Sequence, residues 1–157
     1  MIEADTPELR AVAEGGRLER VVTPTANDLV AVATAGFQFI EQGQWDRARN
    51  AFDAMIQVAP KIYLGYSGLG TVALHERNLQ EAVEHLSKAL ELTNRDASVL
   101  ARLGEAKLRL GLAKEAAALF HSADQLDPVR KNPVVNRARA MLAALEEQEA
   151  QTPVKSE

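Results

Sequence analysis

Apolar residues recur along residues 29–130 in pairs of helix-like segments, and the pairs repeat every 34 residues. Small residues keep two fixed phases of this period: Gly36, Gly70, Gly104, Ala48, Ala82 and Ala116. A period of this length is typical of arrays in which each repeat is a pair of helices. The pattern therefore predicts an all-α fold with three repeats, at residues 29–62, 63–96 and 97–130, each with a helix A followed by a helix B.

The repeated glycines lie in the middle of the predicted A helices, where glycine costs about 1 kcal/mol relative to alanine. Because the cost recurs at one phase, we expect each helix A to approach its own helix B closely at that point. Large residues of helix B are expected to fill the adjoining space: Phe52, Leu86 and Phe120. The alternative, three unrelated helical hairpins, predicts no shared phase.

The ends of the helices are marked by residues that stop a helix. Gly43 and Gly111 are expected to end the first and third A helices, and Pro60 and Pro128 the matching B helices. The second repeat departs from this pattern, because its corresponding positions hold Arg77 and Asn94.

Two flanks remain outside the repeats. Residues 1–28 are expected to form a helical flank or linker, with a short helix over 7–14 and a capping box between Thr25 and Asp28 that opens the first repeat. Residues 131–150 predict a closing helix, and residues 151–157 a disordered tail. One apolar stripe of the closing helix contains Val134, Ala138, Met141, Leu142 and Leu145.

Composition excludes several classes of function. The formal net charge is −4, and there is no extended basic face of the kind that binds nucleic acid. The chain has no cysteine, which excludes disulfides and thiolate chemistry. No apolar run is long enough for a signal peptide or a transmembrane helix, so a cytoplasmic location without membrane insertion is the expectation.

No constellation of residues predicts catalysis, a metal site or a cofactor. The three histidines, His75, His85 and His121, fall at different phases, and none has a second histidine four residues away. The glycine-rich run 65–70 lacks the preceding strand and the lysine of a phosphate-binding loop. We therefore expect a non-catalytic protein.

The repeats resemble the tetratricopeptide repeat (TPR) over residues 29–130. The first repeat carries the pattern of small and large residues most fully: Val32, Ala35, Gly36, Phe39, Ala48, Phe52 and Pro60. Ala73 and Lys107 depart from it at the phase of Phe39. The resemblance implies a right-handed superhelical solenoid whose A helices line a concave groove that binds peptides.

The same resemblance gives the residues expected to line the peptide-binding groove. Those we select are Val30, Ala33, Thr34, Phe37, Leu64, Ser67, Gly68, Thr71, Leu74 and Arg102. Of the positions that form a carboxylate clamp in arrays that bind acidic chaperone termini, only Arg102 matches, which disfavours that ligand. Small and apolar residues dominate, so we expect an extended, partly apolar peptide. The small residues are expected to leave room for its backbone: Ala33, Ser67, Gly68 and Thr71. The alternative is that Phe37 and Leu74 pack within the protein or under the N-terminal flank.

A narrower resemblance is to the class II chaperones of type III secretion systems. It is carried by the run 43–55, with a large residue at Met55, and by the aromatic, glycine-rich run 63–70. The resemblance implies a chaperone that holds an extended segment of a translocator subunit, with a possible homodimer through the N-terminal flank. The alternative is a general TPR adaptor or scaffold in a multiprotein assembly.

Overall fold

The computed structural model describes residues 24–93 and 95–151. Within these ranges the chain forms seven helices and no strand: α1 (Ala26–Glu41), α2 (Trp45–Val58), α3 (Tyr63–His75), α4 (Leu79–Thr93), α5 (Ala97–Arg109), α6 (Ala113–Leu126) and α7 (Pro133–Gln151). The expected all-α helical repeat, with two helices in each repeat and a closing helix, is confirmed. The expectations for residues 1–23, Asn94 and residues 152–157 lie outside the described residues, and the domain boundaries stay a prediction.

The chain divides into two compact units, with the boundary between Leu92 and Thr93. In unit 1, α1 packs on α2, α2 packs on α3, and α1 also contacts α3. In unit 2, α5 packs on α6, and α7 packs on both. Each unit is described by itself below.

The core of unit 1 is built around Phe52 of α2, which is fully buried. A Cβ placed on Gly36 of α1 would lie 2.5 Å from the Cζ atom of this ring. A Cβ on Gly70 of α3 would likewise lie 2.5 Å from Cγ of Leu86 on α4. The expected close approach of helix A to helix B is therefore confirmed. Because each glycine has no side chain, the large residue of helix B packs directly against the backbone of helix A.

Unit 2 repeats this arrangement with Gly104 of α5 and Phe120 of α6. A Cβ on Gly104 would lie 2.5 Å from Cε1 of Phe120, which is 1% exposed. Helix α7 then closes the unit with three buried residues: Val135, Ala138 and Leu142. Within the predicted stripe Ala138 and Leu142 are buried, and Val134, Met141 and Leu145 are half-buried; the prediction did not include Val135, which is also buried.

The helix ends follow the predicted residues closely. Thr25 and Asp28 form the capping box: the Thr25 amide donates to Asp28 Oδ2 at 2.8 Å, and the Asp28 amide donates to Thr25 Oγ1 at 3.3 Å. The Thr25 hydroxyl also donates to Asp28 Oδ2 at 2.7 Å, and this bond, followed by the bond from the Thr25 amide, lowers the pKa of the Asp28 carboxyl. Gly43 and Gly111 take the left-handed backbone with φ of +70° and +82°, which glycine adopts without a steric penalty.

Candidate functional site

Unit 1 contains nine of the ten residues selected for the peptide-binding groove, all of them on the A helices α1 and α3. They differ sharply in exposure. Val30 and Thr34 are exposed, and Phe37 and Leu64 are half-buried. The other five are buried: Ala33, Ser67, Gly68, Thr71 and Leu74.

The selected groove residues of α1 that remain at least partly exposed form one stripe along the helix. Val30, Thr34 and Phe37 are separated by four and three residues, a spacing that places them on one face of a helix. Val30 is 56% exposed, a large fraction for a valine in a helix that packs on two others. The Thr34 hydroxyl donates to the Val30 carbonyl at 2.8 Å, so its hydrogen is used within the helix.

Phe37 connects this stripe to the core. Its ring meets the ring of Phe52 edge to face, with centroids 5.1 Å apart and an interplanar angle of 62°. Such a pair contributes about 0.5–1.5 kcal/mol beyond the area that it buries. Phe37 therefore has a structural role, as the internal-packing alternative expects, while part of its side chain remains exposed.

The inner residues of α3 differ from the sequence expectation that they leave space for a ligand backbone. The space at Gly68 is filled by Phe52, whose Cδ1 would lie 2.2 Å from an added Cβ. The Thr71 hydroxyl donates to the Ser67 carbonyl at 2.7 Å, and both residues are at most 5% exposed. The correction has a simple cause: α3 is enclosed along nearly its whole length from Gly65 to Leu74.

The charge on the two A helices of unit 1 is also informative. Neither α1 nor α3 contains a lysine or an arginine, and Glu41, at the end of α1, is exposed. Among the described residues, the basic residue nearest in sequence to α1 is Arg47, which lies on α2 with its guanidinium 4.2 Å from the centroid of Phe39. The A helices of unit 1 themselves therefore supply no cation to an acidic peptide.

The helix pairs of unit 1 are joined by an ion-pair network that the sequence did not reveal. Arg49 of α2 donates to Glu81 of α4 at 2.6 Å, and it also pairs with Glu76, which follows α3. The Arg49 hydrogen bond is the main cause that lowers the pKa of Glu81. The partners are 27 and 32 residues from Arg49 in sequence, close to one repeat length, which is the only signal that could have indicated them.

Arg102, the tenth selected residue, lies on α5 in unit 2 and is half-buried. Burial lowers the pKa of its guanidinium, against the opposing influence of Asp96 and Glu105. Glu105 itself is only 8% exposed and pairs with Arg109 of α5 and Arg137 of α7. Sequence reasoning missed this buried carboxylate, because its pairing with α7 depends on how the closing helix docks.

Comparison with known proteins identifies the repeat. Residues 38–98 match the family model described as tetratricopeptide repeat. The helix pairs have the TPR fold. Among curated proteins, Superkiller protein 3 of Schizosaccharomyces pombe is 26% identical over 110 residues, a match that covers 66% of this chain. The chain spans only 8% of the length of that relative.

Solved structures share the TPR fold over most of the chain. PcrH in complex with the chaperone-binding region of PopD matches with a TM-score of 0.70 and 22% identity, over 84% of this chain and 99% of that one. The first TPR domain of Spaghetti (RPAP3), bound to the HSP90 peptide SRMEEVD, matches with a TM-score of 0.69 and 16% identity, over 83% and 99%. The type III secretion translocator chaperone SycD of Yersinia enterocolitica matches with a TM-score of 0.69 and 17% identity, over 82% of this chain and 90% of that one. These likenesses confirm both the TPR resemblance and the structural resemblance to type III secretion chaperones.

Among the residues of 24–93 and 95–151, no group of three or more histidine, aspartate or glutamate side chains is arranged to hold a metal ion. None of the seven helices is long and apolar enough to cross a membrane. His75 stacks on Trp45 with ring centroids 4.8 Å apart, and His85 lies 3.6 Å from a carboxylate oxygen of Glu81.

Proposed function

We propose that this TPR protein binds an extended, partly apolar segment of another protein along α1 and α3 of unit 1, as a cytoplasmic chaperone of the type III secretion kind. The observation that carries the proposal is the stripe of Val30, Thr34 and Phe37 on α1, in which a valine more than half exposed lies two helical turns before a ring anchored in the core. On α3, the half-buried Leu64 is the additional apolar residue that we expect to contact the ligand.

The chemistry of these helices favours an apolar ligand over an acidic one. An acidic peptide needs cationic partners, and α1 and α3 contain no lysine or arginine. The structure of PcrH with the chaperone-binding region of PopD supports the same function, since a chain of this fold binds a segment of another protein there.

The expected affinity is moderate. A micromolar complex requires about 8 kcal/mol. Fully burying one large apolar side chain gives about 1.5–3 kcal/mol, and Phe37 and Leu64 are already partly covered. Because ordering a flexible segment costs several kcal/mol, the ligand must contribute apolar side chains of its own to reach micromolar affinity.

A direct test uses two labelled peptides of equal length, one alternating leucine and serine and one of serine and glycine, with binding followed by fluorescence anisotropy. The full chain is expected to bind only the first. Val30→Glu and Leu64→Glu are each expected to weaken that binding by about 10-fold or more, since each places a charge against the apolar ligand.

The matched control is Val58→Glu. Val58 is also an exposed valine, at 40%, but it lies at the end of α2, outside the A helices. Equal binding by all three folded variants and the original chain would show that α1 and α3 are not the binding surface. That result would favour the alternative function, an adaptor that binds its partner through another face or a flank.

Chaperone activity needs a separate measurement. Co-expression of this chain with an aggregation-prone, membrane-active test protein is expected to keep that protein in the soluble fraction, and Val30→Glu is expected to return it to the pellet. If the chain binds the peptide but does not change the solubility of the co-expressed protein, the binding function is supported and the chaperone role is refuted.

A further inference from the structure

The apolar stripe on α1 ends in a carboxylate. Glu41, the last residue of this helix, comes four residues after Phe37 and eleven residues after Val30. At 3.6 residues per turn, Glu41 lies about 20° around the helix from Val30, so the two residues share a face. Glu41 is exposed. An accessible acidic group therefore continues the stripe in the same direction.

The described residues supply no cation to this carboxylate. Within residues 24–93 and 95–151, the side chain of Glu41 forms no hydrogen bond or ion pair. Arg47 of α2, the basic residue nearest in sequence among them, donates to Gln44 Oε1 at 2.7 Å and lies over the ring of Phe39. The charge of Glu41 is therefore available to a ligand that lies along the stripe.

Glu41 also lies at the end of the helix where a carboxylate is least favourable. The aligned peptide dipoles give a helix C-terminus a partial negative charge, which favours cations and disfavours anions. The last turn of α1 contains no basic residue. A cation on a bound ligand would therefore be attracted both by the Glu41 side chain and by the end of the helix.

We propose that Glu41 selects ligands in which a lysine or an arginine lies next to the apolar residues. This inference rests on the proposed function, because it specifies the segment that the stripe of α1 binds. Along the helix axis, Glu41 lies about 6 Å from Phe37 and about 16 Å from Val30. An extended ligand spans these distances with about two and about five residues. The cation is therefore expected within about two residues of the apolar side chain that contacts Phe37.

The shape of the lysine and arginine side chains suits this position as well as their charge. Their aliphatic stems cover apolar surface while the charged ends reach water or an anion. On α1 the stem would pack on the exposed part of the stripe, and the charged end would reach Glu41. A carboxylate of the ligand at the same place would meet a like charge, so acidic residues are disfavoured there.

The test compares three labelled peptides that share an alternating leucine and serine core and have lysine, glutamine or glutamate at both ends. Identical ends make the result independent of the direction in which the ligand binds. Fluorescence anisotropy at about 0.05 M salt is expected to rank the lysine peptide first and the glutamate peptide last, with steps of about 2- to 5-fold, as for exposed ion pairs. The steps are expected to shrink at about 0.15 M salt because screening is stronger.

Charge variants of the protein separate Glu41 from the general attraction of a chain with net charge −4 for a cationic peptide. Glu41→Gln is expected to remove most of the difference between the peptides, and Glu41→Lys to reverse their order. The matched control is Glu84→Lys, the same change at an exposed residue of α4 in the same unit, which is expected to keep the original order. Equal effects of the two lysine variants would overturn the proposal, as would equal affinities of the three peptides for the original chain. Both of these results would leave the binding of an apolar segment intact.

Failure of the proposed function gives a different result, because none of the three peptides would then bind the original chain. A second copy of the chain that covers the stripe would also prevent binding, and size-exclusion chromatography would show it as a dimer. Either result would overturn the selection by Glu41 together with the proposed function. Circular dichroism spectra confirm that every variant is folded.

Discussion

The ring of Phe52 occupies the space that a side chain at Gly68 would need. An added Cβ at Gly68 would lie 2.2 Å from Cδ1 of this ring, and one at Gly36 would lie 2.5 Å from its Cζ. A single ring is thus held between glycines of two successive A helices. Gly36 belongs to the repeated glycine phase and Gly68 is a further glycine outside it, and together they allow α1 and α3 to approach α2 closely.

Gly68→Ala is expected to lower the free energy of unfolding by about 1–3 kcal/mol, because the new methyl group overpacks against a rigid ring. The higher helix propensity of alanine offsets only about 1 kcal/mol of the clash. Chemical denaturation of Gly68→Ala, Phe52→Leu and the double variant gives the coupling between them. The double variant is expected to lose clearly less than the sum of the single losses, and additive losses would contradict the contact.

Arg77→Gly is expected to stabilise the protein by about 0.5–1 kcal/mol. Arg77 lies between α3 and α4 with φ of +64°, a left-handed conformation that costs most residues about 1–2 kcal/mol and glycine almost nothing. The matched opposite change is Gly111→Ala, at φ +82°, where an added Cβ meets no atom within 4 Å, so that only backbone strain is introduced. It is expected to destabilise by about 1 kcal/mol. Melting temperatures that move in the same direction for both variants would refute this explanation.

Asp127 at the end of α6 is expected to make the protein less stable in acid. Burial alone would raise the pKa of its carboxyl. Hydrogen bonds outweigh burial and lower that pKa: the carboxylate accepts from the backbone amides of Asn132 and Lys131, each at 3.2 Å, and from the guanidinium of Arg139. A lowered pKa in the folded state gives stability that is present above the unfolded value of about 4 and is lost as the pH falls below it.

The measurement compares the original chain with Asp127→Asn by chemical denaturation at several pH values from about 6 down to about 3. The variant is expected to show a smaller loss of stability across this range, because its amide does not titrate. An identical loss in both proteins would assign the acid sensitivity to other groups, such as Asp28, whose pKa is also lowered.

Much of the fold could be predicted from the sequence because its signals are local or periodic. The 34-residue repeat predicted that Gly36 and Gly104 each pack against a large residue of the following helix. The capping box at Thr25 could be predicted because it depends on only four consecutive residues. The left-handed turns at Gly43 and Gly111 follow from the conformational freedom of glycine. These features depend on backbone geometry that each repeat determines by itself.

The candidate site was less accessible to sequence reasoning. Repeat phase placed Ser67, Gly68 and Thr71 among groove residues, but it could not show that α3 is buried along its length. The convergence of Arg109 and Arg137 on Glu105 joins residues up to 32 positions apart and depends on the docking of α7. Exposure and long-range ion pairs are properties of packing, which a single repeat pattern does not encode.

The stack of Trp45 on His75 has a practical consequence. The chain has one tryptophan, and it lies in unit 1. Its intrinsic emission therefore follows unfolding at one place only, whereas the far-ultraviolet circular dichroism of the seven helices follows both units together. Superimposed denaturation curves from the two signals would mean that the array melts as one cooperative body, and separated curves that its halves melt in turn.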